Sequence, residues 1–151
     1  MYDARARPLV SAWKERGRRD LAAALASLVA EVIARPAVAR LTYVPGDRER
    51  GRERGHVPAA RLAHALGVLW DLPVEAFLER TAAASRQVGL PRGERLGNVR
   101  TAFGASGIPP PDVALVDDVY TTGATASACA RVLRRAGARR VEVVCLARAV
   151  R

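Results

Sequence analysis

The stretch Val113–Thr125, VALVDDVYTTGAT, decides how this chain folds. Four apolar or small residues lead into adjacent carboxylates, Asp117 and Asp118, and then into a Thr-Thr-Gly-Ala-Thr turn. That order predicts a buried strand whose end opens directly into a helix. A backbone leaving a strand and curling into a helix N-terminus presents several N–H groups on one concave surface, at the positive end of the helix dipole. Such a nest suits a phosphate dianion. Gly123 permits the tight turn, the backbone at Ala124 adds an amide, and Thr121, Thr122 and Thr125 add hydroxyl donors. Carboxylates do not bind phosphate, but they accept hydrogen bonds from hydroxyls or hold a hard cation. Asp117 and Asp118 are therefore expected to face the vicinal diol of a ribose whose 5′-phosphate sits on the turn.

Competing nucleotide sites do not fit. The chain has no Gly-x-x-x-x-Gly-Lys-Ser/Thr and no Gly-x-Gly-x-x-Gly. An acidic pair after a strand also occurs in receiver domains, but there it lies near the chain start. Here one helix and one strand follow it. A buried strand with a solvated acidic pair and an ordinary helix cap is the plain alternative.

Outward from this segment the pattern alternates between helix and strand. Asp20 suits an N-cap for a helix with Leu21, Leu25, Leu28, Val29, Val32 and Ile33 on one face, ending before Pro36. Leu41–Val44 reads as a short buried strand. Pro58 opens a second helix that turns Leu62, Leu66 and Leu69 inward, and a strand is expected around Val74–Leu78. From Thr81 to Asp112 glycines and prolines break the pattern, the mark of a functional or mobile loop. A third helix spans about Gly123–Ala136 and stops at Gly137, and Val141–Ala147 is a last strand. The fold class is α/β, a parallel sheet flanked by helices, in which ligands bind at the carboxyl ends of the strands. The strand ends at Pro45 and Asp117 are thus expected to share one site.

Composition narrows the partners. The chain has 151 residues, enough for one domain with a real core, and half of them are hydrophobic. Its net charge of +10 comes almost wholly from arginine, with Lys14 the sole lysine. That charge suits nucleic acid, an anionic membrane surface or a polyphosphate ligand without choosing among them. The arginines alternate with acids in DRERGRERG, Asp47–Gly55, and two Phe, two Trp and three Tyr are too few and scattered to form a stacking platform. Cys129 and Cys145 fall within apolar surroundings and read as reduced buried thiols, with no metal cluster. No signal peptide or membrane span is legible, so a cytoplasmic protein is expected.

Three further stretches carry a family resemblance: LTYVP at Leu41–Pro45, RERG at Arg52–Gly55, and SRQVGLPRGERLGNVRTAF at Ser85–Phe103. With VALVDDVYTTGAT, which resembles the phosphoribosyl-pyrophosphate (PRPP) loop of type I phosphoribosyltransferases, they make the chain similar to the competence-associated ComF family. The last stretch matches that family's pattern at Gln87, Leu90, Arg95, Asn98 and Phe103. The resemblance implies a type I phosphoribosyltransferase-like domain over residues 1–151, with a helical part at 1–40 and a mobile hood loop at 81–112. It implies PRPP or a nucleoside monophosphate as ligand and Mg²⁺ as cofactor, held near Asp117 and Asp118 through ribose or water.

It places the pyrophosphate-side loop at Val44, Pro45, Arg48 and Arg54, and the closing loop at Gln87, Arg95 and Asn98. Phosphoribosyl transfer, with Asp117 and Asp118 as the catalytic acids, is the first reading. A non-catalytic competence or DNA-uptake accessory that senses ligand is the second. The resemblance also admits a homodimer. Members with an N-terminal Cys-rich zinc ribbon differ from this chain, whose two cysteines supply none. Members also carry Asn and Gln after the RERG-like Gly, where His56-Val57-Pro58 stand here. Thr121 replaces the Asp of 6-oxopurine enzymes, which speaks against purine salvage. With Arg151 directly after the last strand, the acceptor is expected to be held by the N-terminal hood, by a partner subunit or by nothing.

Overall fold

Val113, Ala114, Leu115 and Val116 are all completely buried, as a strand covered on both faces requires. In the computed structural model, which describes residues 21–46, 57–81 and 101–148, these residues lie in the middle strand of a three-stranded parallel sheet. The elements run α1 (Leu21–Val32), β1 (Arg40–Tyr43), α2 (Pro58–Trp70), β2 (Leu78–Arg80), β3 (Phe103–Ala105), β4 (Asp112–Tyr120), α3 (Ala124–Arg135) and β5 (Arg140–Arg148). The sheet order is β1-β4-β5, with Leu41 opposite Ala114 and Val113 opposite Val141.

Alternation along β4 divides the core. Ala114 and Val116 pack with Leu25, Val29, Leu62 and Leu66 from α1 and α2, whereas Val113 and Leu115 pack with Cys129 and Leu133 of α3 and with Phe103. The expected parallel sheet with helices on both faces is therefore the observed architecture.

The helix faces differ in detail from the sequence expectation. On α1 the buried stripe is Ala22, Leu25, Ala26 and Val29, while Leu28 and Val32 are 51% and 85% exposed. On α2 Trp70 is buried and Leu69 is not. The cause is close approach: small alanines let α1 and α2 settle against each other and the sheet, and rotate the longer aliphatics outward. Gly67 permits a different close approach, that of the segment following α2, because a Cβ there would stand 2.6 Å from Val74 Cγ2 and 2.8 Å from the Leu72 carbonyl oxygen.

The expected strand at Val74–Leu78 is split. Leu41 bonds to the backbone of Pro73 and Glu75 and forms a single parallel bridge with Val74. The chain then lifts away, held where the Phe77 amide donates to the buried Thr42 hydroxyl at 3.3 Å. Leu78–Arg80 pairs instead with Phe103–Ala105 in a separate antiparallel ribbon. Part of the stretch read as an irregular loop is thus a strand. At the N-terminal edge of the sheet Arg140 pairs with Asp112 at 3.2 Å and Glu142 at 3.1 Å, and donates to the Ala37 carbonyl. That clamp ties the starts of β4 and β5 to the segment before β1.

Candidate functional site

β1 makes its last bond to β4 where the Val44 amide donates to the Val116 carbonyl at 3.0 Å. Beyond Val116, β5 is the only strand paired with β4 among the described residues, with pairing continuing to Tyr120–Arg148. The two acids stand at this step. Each binds the next backbone amide: Asp118 N–H donates to Asp117 Oδ1 and Val119 N–H to Asp118 Oδ1, both at 2.8 Å.

Alternation gives Asp117 the face of Val113 and Leu115, and Asp118 the face of Ala114 and Val116. Asp117 is 6% exposed, whereas Asp118 is only half-buried. Asp117 sits in line with Cys145 across the ladder and close enough to Cys129 to perturb it. The two carboxylates therefore do different physical work, one as a buried acid beside α3 and the other on the more open side.

Past Tyr120 the chain turns sharply. Gly123 has φ 77° and ψ −1°, a left-handed conformation that directs the backbone into α3. The Ala124 amide reaches the Thr122 hydroxyl oxygen at 3.4 Å, and the Ser127 amide bonds to the Gly123 carbonyl at 2.8 Å. No acid occupies the first turn of α3, so nothing there offsets the positive end of the helix. Thr121 and Thr122 are exposed and Thr125 is half-buried at the same end.

The structure brings Val44 and Pro45 to this edge as well, because Tyr43 is in register with Val116. The two strand ends singled out in the sequence thus lie side by side. Arg48, Arg54 and His56, and Gln87, Arg95 and Asn98, lie outside the described residues. Two neighbours of the loop escaped the sequence reading. Tyr120 turns its ring against Gly123, where a Cβ would come within 2.2 Å of its hydroxyl oxygen. Arg148 lies over that ring, its Cζ 5.7 Å from the centroid. Only the ladder register could reveal the second.

Among the described residues no group of three or more His, Cys, Asp or Glu side chains could hold a metal ion. No helix there is long and apolar enough to cross a membrane. Burial pushes the Cys129 thiol from 9.0 up to about 12, with the Asp117 carboxylate adding to the rise and Arg80 opposing it. Burial and Asp117 also raise Cys145, against Arg148. A thiol whose folded pKa is raised keeps its proton while the unfolded chain has lost it. Its effect on stability is nil below about pH 9, and stability then falls as pH climbs toward 12. Urea midpoints measured from pH 8 to 11 should decline, and Cys129→Ala should flatten that decline.

No protein-family model matches the chain. Among curated proteins it is similar to "Competence protein ComFC" of Streptococcus pneumoniae, 29% identical over 97% of this chain and 65% of that protein. It is also similar to "DNA utilization protein YhgH" of Salmonella typhi, 34% identical over 93% of this chain and 66% of that protein. The chain thus spans just under two-thirds of the length of these relatives. Its fold matches that of glutamine PRPP amidotransferase from B. subtilis, at a TM-score of 0.59 and 21% identity, covering 85% of this chain and 26% of the other.

Proposed function

Because the chain belongs to the ComF family of type I phosphoribosyltransferase-like proteins, we propose that it binds PRPP or a nucleoside monophosphate at the shared edge of β1 and β4 and transfers the phosphoribosyl group. One observation carries the reading. Where β1 ends, the buried strand β4 continues into two backbone-anchored carboxylates, a left-handed glycine and a helix start with no acid in its first turn.

In this reading the 5′-phosphate rests on the amides and hydroxyls of Thr121–Thr125, and Asp118 accepts hydrogen bonds from the ribose diol. Asp117, buried beneath, holds the Asp118 amide and so sets where the second carboxylate points. Breaking the bond from C1 to pyrophosphate sends the electron pair out with the leaving group and leaves an oxocarbenium-like sugar. The acceptor then bonds to C1 and gives up its proton. Val44 and Pro45 border the side on which the pyrophosphate leaves, with Arg48, Arg54 and the closing-loop residues Gln87, Arg95 and Asn98 assigned to its charge. Mg²⁺ would neutralise pyrophosphate when bound. Asp117 and Asp118 fit it as an ion carried mainly by ligand oxygens and water, since the described residues offer no complete protein cage.

A second reading, ligand-controlled handling of DNA without turnover, is favoured by a specific feature. Arg134, Arg135 and Arg139 are all exposed at the C-terminal end of α3 and just after it, away from the loop, with Arg131 exposed further up the helix, and the relatives' names concern competence and DNA utilization. Titration calorimetry with PRPP and Mg²⁺ tests the shared premise. Saturable binding is expected, and its absence would sink both readings. Release of pyrophosphate in an acceptor screen then separates enzyme from sensor, while oligonucleotide affinity that falls steeply with salt marks the DNA reading.

A further inference from the structure

From Val119 to Ala130 the chain carries no charged residue, while Asp117 and Asp118 lie immediately upstream. A phosphate dianion on the turn would therefore meet neutral donors and two nearby negative charges, with no cation supplied by the loop itself. The fold brings one from elsewhere. Arg148, the last residue of β5, is in register with Tyr120, the last residue of β4. Its guanidinium lies 5.7 Å from the centroid of the Tyr120 ring, within cation–π range. The same ring lies on Gly123, since a Cβ there would stand 2.2 Å from Tyr120 Oη and 2.6 Å from Cζ. Tyr120 thus bridges the two, its hydroxyl end against Gly123 of the turn and its ring under the charge of Arg148.

We propose that Arg148, stacked on Tyr120, is the cationic arm of the phosphate loop, recognising the phosphomonoester of a phosphorylated sugar. The assignment rests on the phosphoribosyl reading above and adds a residue to it. A guanidinium laid over an aromatic ring keeps its N–H edge available, so stacking and anion binding are compatible. Arg148 is exposed, so its guanidinium edge is open to solvent and to a ligand arriving from it. Tyr120 is half-buried and packs onto the α3 side of the core, which gives the arm a fixed post. The stack limits the rotamers Arg148 must give up when it closes on an anion.

The test uses ribose 5-phosphate as the probe, with calorimetry on the full chain. Arg148→Gln should weaken binding roughly tenfold or more, the scale of a charge-assisted hydrogen bond, and reduce its salt dependence. Arg148→Lys should recover most of the affinity. Tyr120→Phe, which keeps the ring, should bind nearly as the wild type, whereas Tyr120→Leu should resemble Arg148→Gln. Melting temperatures without ligand should be unchanged for the Arg148 variants. If the wild type binds and Arg148→Gln binds equally at every salt concentration, the arm is wrong and the phosphoribosyl reading stands. If the wild type does not bind, that reading falls and the arm falls with it.

Discussion

Gly123→Ala should leave a folded protein that no longer holds a phosphorylated sugar. At φ 77° a non-glycine residue costs about 1–2 kcal/mol of backbone strain. The new methyl would also stand 2.2 Å from the Tyr120 hydroxyl oxygen, so the ring must leave its place. The turn can relieve the strain only by rotating the peptide units that form the nest. Losing two amide bonds to a charged phosphate amounts to roughly a hundredfold or more in affinity.

Gly137→Ala is the matched control. Its φ of 123° makes it strained too, but the nearest atom to its Cβ would be Ile108 Cγ2 at 4.0 Å, far from the loop. Both variants should lower the urea midpoint, and only Gly123→Ala should lose the ligand. Retained affinity in Gly123→Ala would show that the turn is not the phosphate seat.

Asp118→Asn should weaken PRPP binding roughly a hundredfold, with little change in stability. Asp118 is half-buried, and one of its oxygens already serves the Val119 amide. An amide keeps an acceptor for that bond but replaces the other oxygen with a donor, which opposes a sugar hydroxyl rather than receiving it. Two charge-assisted bonds to a diol together account for about 3 kcal/mol.

Asp117→Asn should show the reverse profile. Asp117 is 6% exposed and holds the Asp118 amide at 2.8 Å. Changing its charge in a buried setting is expected to cost about 1–3 kcal/mol in stability and less in affinity. Denaturation curves and calorimetry on the two single variants read both quantities. Equal losses of affinity with equal stability would overturn this division of labour.

Much of this edge could be read from the chain before any coordinates. Val113–Val116 announce a strand buried on both faces because four consecutive residues lack polar groups, and Gly123 and Gly137 bracket α3 because each permits a backbone that other residues resist. The same residues pointed to a sugar phosphate and to the strand end at Pro45, and the resemblance carried the reading further, to PRPP and a pyrophosphate side at Val44–Pro45 just past β1. The helices were less legible. Leu28, Val32 and Leu69 looked like core by periodicity, yet they are half or more exposed while Ala22, Ala26 and Trp70 are buried. Periodicity marks an apolar helix, but an Ala-rich face and an aliphatic face compete for the interior. How closely two helices can approach settles the contest.

Local chain chemistry was enough to specify the order strand, acid pair, turn and helix, since each of those steps depends on residues a few positions apart. Side-chain alternation that separates Asp117 from Asp118 was implicit in the same run, but it became physical only once β4 proved extended through Tyr120. The placement of Arg148 beside Tyr120 could come from nothing local. It depends on the register of two parallel strands joined through a helix, and that register is set by how their buried faces pack against α1, α2 and α3.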